Sequence, residues 1–340
     1  MNVSGASGET LRTALAGVLG GLPPSQAAKS VERLIAHYRG TTPTDAPVLR
    51  DRSDVVAYAA YRMPATFEAA RSALDALRAA APEWVPETHT DIGGGTGAAS
   101  WAVADVWDGR PPRTTVLDWA EPALALGREL ADGVLDAEWR RERIGTALRL
   151  AETDLVTVSY VLKELTEADR AALVAEAARA STGAVVIVEP GTPDGYERII
   201  AARSVLIDAG FTVAAPCPHS GACPIEPGTD WCHFAARVSR SSLHRQVKGG
   251  SLPYEDEKYA YVAATLPRSR LRSTGGTPTP VTPAPARVIR RPQTRKGLVL
   301  LDLCAPGGLE RATVTKRHGP LYKQARDAEW GDSWPPAEEA

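Results

Sequence analysis

Long apolar runs, a secretory signal and abundant cysteines are all missing from this 340-residue sequence. Apolar runs such as Gly183–Val188 and Leu298–Leu301 fall far short of the roughly 18 residues that a membrane-spanning helix needs. No basic segment followed by an apolar core opens the chain, which argues against a secretory signal peptide. Four cysteines are too few for a secreted disulfide scaffold. We therefore expect a cytoplasmic protein with no membrane segment.

The composition is typical of a globular protein, but charge is unevenly distributed along the chain. Hydrophobic residues make up 44% and charged residues 24%, and the length suits one large domain or two smaller ones. The net charge of −2 alone gives no sign of a nucleic-acid partner. However, Arg237 to Arg326 contains 18 basic and 5 acidic residues, and the rest of the chain is acidic. The sequence therefore combines an acidic major part with a basic segment.

Hydrophobic periodicity divides the chain into three parts. Residues 1–83 have helical spacing and predict an N-terminal helical cap. Residues 84–239 alternate short strands with helices, as an α/β sheet does. Residues 240–330 predict a small basic β-rich C-terminal extension, with a mobile Pro-rich loop at 266–286. We expect an α/β, Rossmann-like fold whose mostly parallel sheet is covered on both faces, and we favour a monomer.

The strands are predicted from short runs of β-branched and apolar residues between turn signals. In the main sheet they are Thr114–Leu117, Leu155–Tyr160, Ala184–Val188, Phe211–Ala214 and Trp231–Val238. In the extension they are Tyr259–Thr265, Arg287–Arg290, Leu298–Leu303 and Arg311–Lys316.

The segment Asp91–Gly97, with glycines at 93, 95 and 97, is the sharpest local motif. Glycines allow a tight turn and a close approach of the backbone to a ligand. The helix that follows would direct free N–H groups toward that ligand. Asp118 ends the next predicted strand, where a carboxylate can accept both ribose hydroxyls. The motif therefore predicts a nucleotide-type cofactor.

Two cofactors compete for this loop. Gly93, Gly95 and Ala98 also satisfy a loose dinucleotide pattern. Asp91 would be a misfit near a pyrophosphate, but it can face the cationic methionine end of S-adenosylmethionine (SAM). We therefore favour SAM over NAD, and a purely structural turn is the third alternative.

The chain resembles class I SAM-dependent methyltransferases. Asp91–Gly97 matches their first motif, Asp118–Pro122 resembles the acid-ended second strand, and Asp154–Thr157 resembles the fourth-strand motif. The resemblance implies that Asp91, Gly93, Gly95, Gly97, Asp118 and Asp154 bind the cofactor. No Asn-Pro-Pro-Tyr or Asp-Pro-Pro-Tyr motif follows the fourth strand, so no catalytic residue is named.

All four cysteines, Cys217, Cys223, Cys232 and Cys304, lie in the last 124 positions. Proline or glycine beside the thiols favours irregular turns. Four thiolates suit a tetrahedral zinc ion or an iron–sulfur cluster, and the wide spacings favour the cluster. Buried free cysteines and disulfides are the structural alternatives.

A narrower resemblance rests on four segments: Glu189–Gly195, Ala215–His219, Trp231–Phe234 and Lys316–His318. They resemble the methyltransferase-like small-ribosomal-subunit assembly factor family, known from mitochondria and bacteria, over residues 20–332. Membership implies a [4Fe-4S] cluster on Cys217, Cys223, Cys232 and Cys304. It also implies association with the small ribosomal subunit and its 16S-type rRNA.

Basic residues cluster in the same segment as Cys304 and predict an RNA-binding surface, because each neutralised phosphate releases counterions. The alternative is a solvated basic face that balances the acidic domain. Tyr259, Tyr261 and Tyr322 are candidates for base stacking, with core packing as the other use. The predicted RNA-binding residues are Arg287, Arg290, Arg291, Arg295, Lys296, Lys316, Arg317 and Lys323.

These motifs predict a SAM-binding, iron–sulfur protein that acts on or with small-subunit rRNA, either as an rRNA methyltransferase or as a catalytically silent assembly factor. A small-molecule methyltransferase and a nicotinamide-dependent oxidoreductase are the other functional classes.

Overall fold

Two β-sheets organise the chain in a computed structural model that describes residues 6–20, 25, 28–33, 52–241, 252–267 and 280–336. The helices are α1 Ala6–Leu19, α2 Arg52–Ala80, α3 Ala98–Val106, α4 Glu121–Ala131, α5 Glu167–Ala180, α6 Pro193–Asp208 and α7 Pro320–Asp327. The strands of the large sheet are β1 Thr88–Ile92, β2 Arg113–Asp118, β3 Ala137–Arg141, β4 Thr153–Ser159, β5 Ser181–Pro190, β6 Thr212–Ala215, β7 Phe234–Ser239 and β8 Tyr254–Thr265. The small sheet contains β9 Ala286–Val288, β10 Gln293–Arg295, β11 Leu298–Ala305, β12 Gly308–Thr315 and β13 Ser333–Trp334.

The large sheet has the strand order β3-β2-β1-β4-β5-β8-β6, with β7 also paired to β8. Strands β1 to β5 pair in parallel, and β8 runs against β5, β6 and β7. The strand order reverses between β1 and β4, which opens a crevice at their carboxyl ends. The predicted α/β, Rossmann-like, mostly parallel architecture is confirmed.

Helices cover both faces of the large sheet. One core lies under α1 to α4 and includes Trp101, Leu74 and Val186. The other lies under α5 and α6 and includes Leu173, Leu206 and Ile187. Alternate residues of β5 enter opposite cores, because successive side chains of a strand point to opposite faces. The uninterrupted apolar run that predicted this strand is therefore the signature of burial on both sides.

The N-terminal helices form an integral layer of the molecule. Helix α2 continues through Pro64 and packs along the large sheet and α3. Phe67, Ala70 and Leu74 recur at helical spacing in it and are all buried. No helix among the described residues has the length and apolarity to cross a membrane.

Strand β8 corrects the assignment of Tyr259–Thr265 to the C-terminal extension. It lies inside the large sheet, between β5 on one side and β6 and β7 on the other. Burial of Tyr259 to Thr265 on both faces explains its apolar sequence. The boundary expected at residue 240 therefore falls after β8. Most of the Pro-rich segment expected at 266–286 lies outside the described residues.

The small sheet has the order β10-β11-β9-β13, with β12 paired to β11. Val288, Leu301 and Trp334 contribute to its own core, against which Leu321 and Tyr322 pack. Strands β3 and β10 were not predicted, because their exposed, charged residues lack the alternation on which the assignment relied.

Candidate functional site

The glycine-rich segment forms a tight loop between β1 and α3 at the crevice. Gly93, Gly95 and Gly97 have φ angles of 68°, 54° and 84°, a region that favours glycine. The backbone N–H groups of Gly93 and Gly94 donate to Leu117 O at 2.8 and 3.2 Å, which ties the loop to β2. Helix α3 begins at Ala98, directly after the loop. The loop thus brings a helix N-terminus to the carboxyl edge of the sheet.

Asp118 lies at the carboxyl end of β2, beside this loop. Its Oδ2 accepts from Gly95 N at 2.9 Å and its Oδ1 from Ala120 N at 2.8 Å. Burial raises the pKa of Asp118, and the backbone hydrogen bonds partly offset that rise. Each carboxylate oxygen keeps a further lone pair for a ligand hydroxyl. Asp118 and the glycine loop are therefore brought together as the sequence predicted.

Asp91 is enclosed beneath the loop and does not face the crevice, which corrects the expectation that it meets a cofactor directly. Its side chain is 0% exposed and accepts from Ser100 Oγ at 2.8 Å and Thr157 Oγ1 at 2.9 Å. A Cβ on Gly94 would lie 2.7 Å from its Oδ2. Burial raises the pKa of Asp91 to about 6. Asp91 therefore shapes the loop from within.

His89 extends this buried polar chain through β1. Its Nδ1 lies 3.1 Å from Thr114 Oγ1 and its Nε2 lies 2.8 Å from Thr157 Oγ1. Burial lowers the pKa of His89 to about 3, so the ring is neutral. These partners account for polar residues in an otherwise buried strand.

Asp154 lies at the opposite edge of the sheet, which corrects its expected role in cofactor binding. Its Oδ2 accepts from the backbone N–H groups of Glu87 and Thr88 at 2.9 and 3.0 Å. Thr182 Oγ1 donates to its Oδ1 at 2.9 Å. Asp154 therefore stabilises the start of β1, whereas the crevice lies beyond the carboxyl end of β4. The motif match gave the correct strand but the wrong end of it.

Two acids that the sequence reasoning missed lie near Asp118. Burial, and then the charges of Asp118 and Glu189, raise the pKa of Glu164 to about 7. Glu189 is the penultimate residue of β5, at the carboxyl end of the strand. It is 0% exposed and accepts hydrogen bonds from Arg198 Nε at 2.6 Å and Leu162 N at 3.1 Å. Three acidic side chains therefore lie near one another at the crevice, and Arg198 pairs with one of them, Glu189. Glu189 belongs to the segment Glu189–Gly195, which supported the family resemblance but was not assigned a role in the site.

The four cysteines are free thiols from two distant parts of the chain: three lie between β6 and β7, and Cys304 lies on β11. Cys217, Cys223 and Cys232 pack against the core under α5 and α6, and Cys304 lies on β11. Burial raises the pKa of Cys217, Cys232 and Cys304, the last to about 12. Neighbouring thiols add to each of these shifts, so the four cysteines lie close enough to influence one another. Within the described ranges, no three His, Cys, Asp or Glu side chains are arranged to hold a metal ion.

Polar side chains surround these cysteines. Tyr196, on α6, has its hydroxyl 3.2 Å from Cys223 Sγ. Arg203, two turns further along the same helix, donates to His219 O and Gly221 O at 2.9 and 2.7 Å. Its Nε is buried without a hydrogen-bond partner among the described residues. An anionic sulfur site fits this set, because a buried guanidinium with an unused N–H requires a nearby acceptor.

Two residues predicted to bind RNA instead hold the cysteine segments in place. Arg287 is 7% exposed and donates to Pro216 O and Gly331 O, each at 2.9 Å. Arg290 pairs with Asp230 and donates to Trp231 O at 3.3 Å. Arg287 is too buried to reach a phosphate, and much of the donor capacity of Arg290 is occupied. The sequence showed that these residues are basic, but it did not show whether their side chains point to solvent or into the protein.

The other predicted basic residues are exposed on the small sheet and its flanking turns. The backbone N–H of Lys316 donates to Gly297 O at 3.2 Å, which brings the turn after β12 beside the β10–β11 hairpin. These exposed residues are Arg291, Arg295, Lys296, Lys316, Arg317 and Lys323, and we call them the basic tip. Tyr259 and Tyr261 are each 5% exposed and pack with Phe234, so they do not stack on bases.

A family model described as mitochondrial small ribosomal subunit Rsm22 matches residues 52–335. The human mitochondrial ribosome assembly protein METTL17 is 29% identical over 300 residues, which cover 82% of this chain and 62% of that protein. The mitochondrial ribosome assembly protein RSM22 of Saccharomyces cerevisiae is 25% identical over 242 residues, covering 45% and 38%. The chain thus spans less than two thirds of the length of these curated relatives.

A solved methyltransferase structure is also similar. Magnesium protoporphyrin IX methyltransferase from Synechocystis, with bound SAM, superposes with a TM-score of 0.40 at 12% identity, covering 70% of this chain and 90% of that one.

The expected cytoplasmic location is wrong. The family and both relatives are described as mitochondrial, which points to mitochondria. The sequence argument rested on the lack of membrane and secretory signals, and neither of these distinguishes the two compartments.

Proposed function

This chain belongs to the mitochondrial small ribosomal subunit Rsm22 family, and we propose that it is a SAM-binding protein that acts with small-subunit rRNA during ribosome assembly. The relatives that carry this inference are named ribosome assembly proteins. The site geometry supports its two parts, a cofactor crevice in the large sheet and a basic tip on the small sheet.

The glycine loop, with Asp118 bound to it, carries the cofactor part of the proposal. Gly95 N and Asp118 Oδ2 are 2.9 Å apart, so the loop and the ribose-binding acid are positioned together before any ligand arrives. Their position at the strand-order reversal is where ligands bind in sheets of this type.

The charge around the crevice favours SAM over a dinucleotide. Asp118 and Glu189 both act on the pKa of Glu164, so three acidic side chains lie near the crevice, and a carboxylate there attracts the sulfonium and ammonium groups of SAM. The same acids would repel the pyrophosphate of NAD. This support replaces the argument from Asp91, whose carboxylate is enclosed. The proposal concerns binding, because no Asn-Pro-Pro-Tyr type sequence follows β4.

We further propose that Cys217, Cys223, Cys232 and Cys304 hold a [4Fe-4S] cluster. Four mutually interacting thiols and the unused Nε of buried Arg203 support an anionic sulfur site. A zinc ion needs all four sulfurs about 2.3 Å from one point, whereas a cluster binds each thiolate to a different iron. When bound, the cluster would cross-link β11 to the segment between β6 and β7.

RNA binding is proposed for the basic tip. The six side chains are exposed, and those of Arg295, Lys296, Lys316 and Arg317 flank the contact between Lys316 N and Gly297 O. Such a concentration of cations suits phosphates. Because Cys304 lies near the far end of β11 from Leu298, this strand separates Cys304 from the part of the tip at the β10–β11 hairpin by roughly 20 Å, at about 3.3 Å per residue.

One set of measurements on the full chain tests these proposals. We expect calorimetric titration to show SAM binding without NADH binding, and anaerobically purified protein to contain iron. Reversal of Arg295, Lys296, Lys316 and Arg317 to Glu should weaken binding of 16S-type rRNA fragments and reduce its salt dependence, by roughly 0.7 to 0.9 in log–log slope per lost phosphate contact.

The matched control reverses Arg110 and Arg140, which are similarly exposed on the large domain. Equal effects of the two sets would refute the tip as the RNA surface. Binding of NADH without SAM would overturn the cofactor proposal, and stoichiometric zinc without iron would overturn the cluster.

A further inference from the structure

Tyr160, immediately after β4, has an unusual backbone conformation. Its φ is 62°, and among the described residues it is the only non-glycine residue with a positive φ. Its N–H nevertheless donates to Val188 O at 2.8 Å, so the residue remains bound to the sheet. A bulky side chain is strained in this region, and such strain persists only where surrounding contacts fix it.

Glu257 and Arg62 supply those contacts. The Tyr160 hydroxyl donates to Glu257 Oε1 at 3.2 Å. Arg62 donates to both carboxylate oxygens of Glu257, at 3.0 and 3.2 Å, and its guanidinium carbon lies 5.7 Å from the centre of the Tyr160 ring. The side chains of Arg62 and Glu257 are 29% and 15% exposed. This triad joins α2, β4 and β8 through a bidentate, partly desolvated ion pair.

The triad lies at the rim of the cofactor crevice. Val161 follows Tyr160, and a Cβ on Gly93 would lie 2.7 Å from Val161 Cγ2. Met63 follows Arg62, and its Sδ accepts from Thr96 Oγ1 of the glycine loop at 3.3 Å. Tyr160 and Arg62 are therefore each one residue away from a contact with the loop.

The residue on the other side of Tyr160 strengthens this placement. Ser159 Oγ is buried and has no hydrogen-bond partner among the described residues. It lies at the carboxyl end of β4, next to the strand-order reversal where a ligand binds. The residue before Tyr160 therefore has an unused hydroxyl at the crevice end of β4.

We propose that Tyr160 determines access to the crevice: held by Glu257 and Arg62, it closes the β4 side, and a ligand enters or leaves only when the triad opens. This inference rests on the proposed SAM site and adds a specificity-determining residue to it. With the triad closed, a bulky methyl acceptor such as a nucleobase is excluded from the β4 side, where the amino-methylation motif is also missing.

Binding kinetics of S-adenosylhomocysteine, followed by tryptophan fluorescence in stopped flow, test the proposal. Arg62→Gln, Glu257→Gln and Tyr160→Phe each weaken the triad, and Tyr160→Phe removes only a hydroxyl. We expect association and dissociation rate constants to rise together by roughly tenfold, the factor associated with losing one charge-assisted hydrogen bond, while Kd stays nearly constant.

Arg237→Gln is the matched control. Arg237 pairs with Asp256 at 3.1 Å and lies 4.1 Å from the ring centre of Tyr254, but this triad is on the exposed side of β7 and β8. We expect it to leave both rate constants unchanged.

Three outcomes would overturn the inference. Unchanged rate constants in all three variants would show that the triad does not control access. A rise in the dissociation rate constant alone would make Tyr160 a simple ligand contact. Failure of the unmodified protein to bind S-adenosylhomocysteine would refute the SAM site itself, and this result is distinguishable because it does not depend on any variant.

Discussion

At the residue scale, buried polar side chains determine the shape of the glycine loop. Thr157 Oγ1 bridges His89 Nε2 and Asp91 Oδ1 at 2.8 and 2.9 Å, and Ser100 completes the chain from α3. Each polar atom of this network has a partner, which offsets the unfavourable burial of a carboxylate and an imidazole. The network therefore holds the loop from the side that faces the sheet, and the side that faces the crevice is left for a ligand.

His89 should make stability fall on acidification. Its folded pKa of about 3 lies below the ordinary 6.5, so below pH 6.5 the unfolded chain takes up a proton that the folded protein does not. The stability present above pH 6.5 is lost as pH falls toward 3, by about 2 kcal/mol at pH 5. Urea unfolding of the protein and of His89→Gln at pH 7 and pH 5 should show a smaller loss in the variant.

Asp91 affects the pH dependence of stability in the opposite direction, and it is present in both the unmodified protein and His89→Gln. Its folded pKa of about 6 lies above the ordinary 3.8, so acidification through this window favours the folded state. The effect cancels in the comparison of the two proteins. Identical pH dependence in both would show that His89 is not buried in the neutral form.

At the element scale, glycines let α3 and α4 approach β3. Trp139 of β3 lies where a Cβ on Gly97 or Gly127 would be, and at Gly97 its Cη2 would be only 2.6 Å away. Gly127 occurs inside α4, where glycine is otherwise unfavourable. This close approach explains why the helix keeps it.

Gly127→Ala should destabilise the protein by about 1–2 kcal/mol, because overpacking against Trp139 exceeds the gain in helix propensity. Gly17→Ala is the matched substitution in α1, where the glycine is exposed and has nothing within 4 Å of an added Cβ. We expect it to stabilise by about 0.5 kcal/mol. Thermal unfolding of both variants checks the signs, and a shift in the same direction would contradict this account.

At the scale of the whole molecule, the small sheet is attached through the cysteine region. Arg287 of β9 donates to Pro216 O, beside Cys217, and to Gly331 O, beside β13. His233 stacks on Trp231 with ring centres 5.3 Å apart and meets Trp330 edge-on at 4.8 Å. These contacts hold the small sheet, which carries the basic tip, against the large sheet.

Arg287→Met should loosen this attachment, because it leaves the Pro216 and Gly331 carbonyls without their donor in a buried site. We expect a loss of about 2–4 kcal/mol, from two charge-assisted hydrogen bonds. Hydrogen exchange should accelerate in residues 286–334 while β1 and β4 stay protected. Arg311→Met, which removes an exposed ion pair to Asp302, is the control and should have little effect. Uniform acceleration across both sheets would contradict a local attachment.

Local sequence patterns determined the elements and the glycine loop of this protein. Glycines at 93, 95 and 97 adopt the positive φ that their type favours, and the apolar runs of β4 and β5 became buried strands. These features depend on neighbouring residues, so periodicity and turn chemistry reveal them. The position of Asp118 could be predicted in the same way, because it is the last residue of the strand that follows the glycine loop.

Tertiary structure decided which way the polar side chains face and which distant residues meet. Asp91 turned inward, Asp154 fell at the wrong edge of the sheet, and Arg287 became a buried anchor. Strand β8 joined the large sheet, and it brought Glu257 to Tyr160 and Arg62. A sequence pattern records charge and spacing along one chain, whereas hydrogen-bond partners, burial and the end of a strand at which a residue lies depend on segments up to 195 positions away.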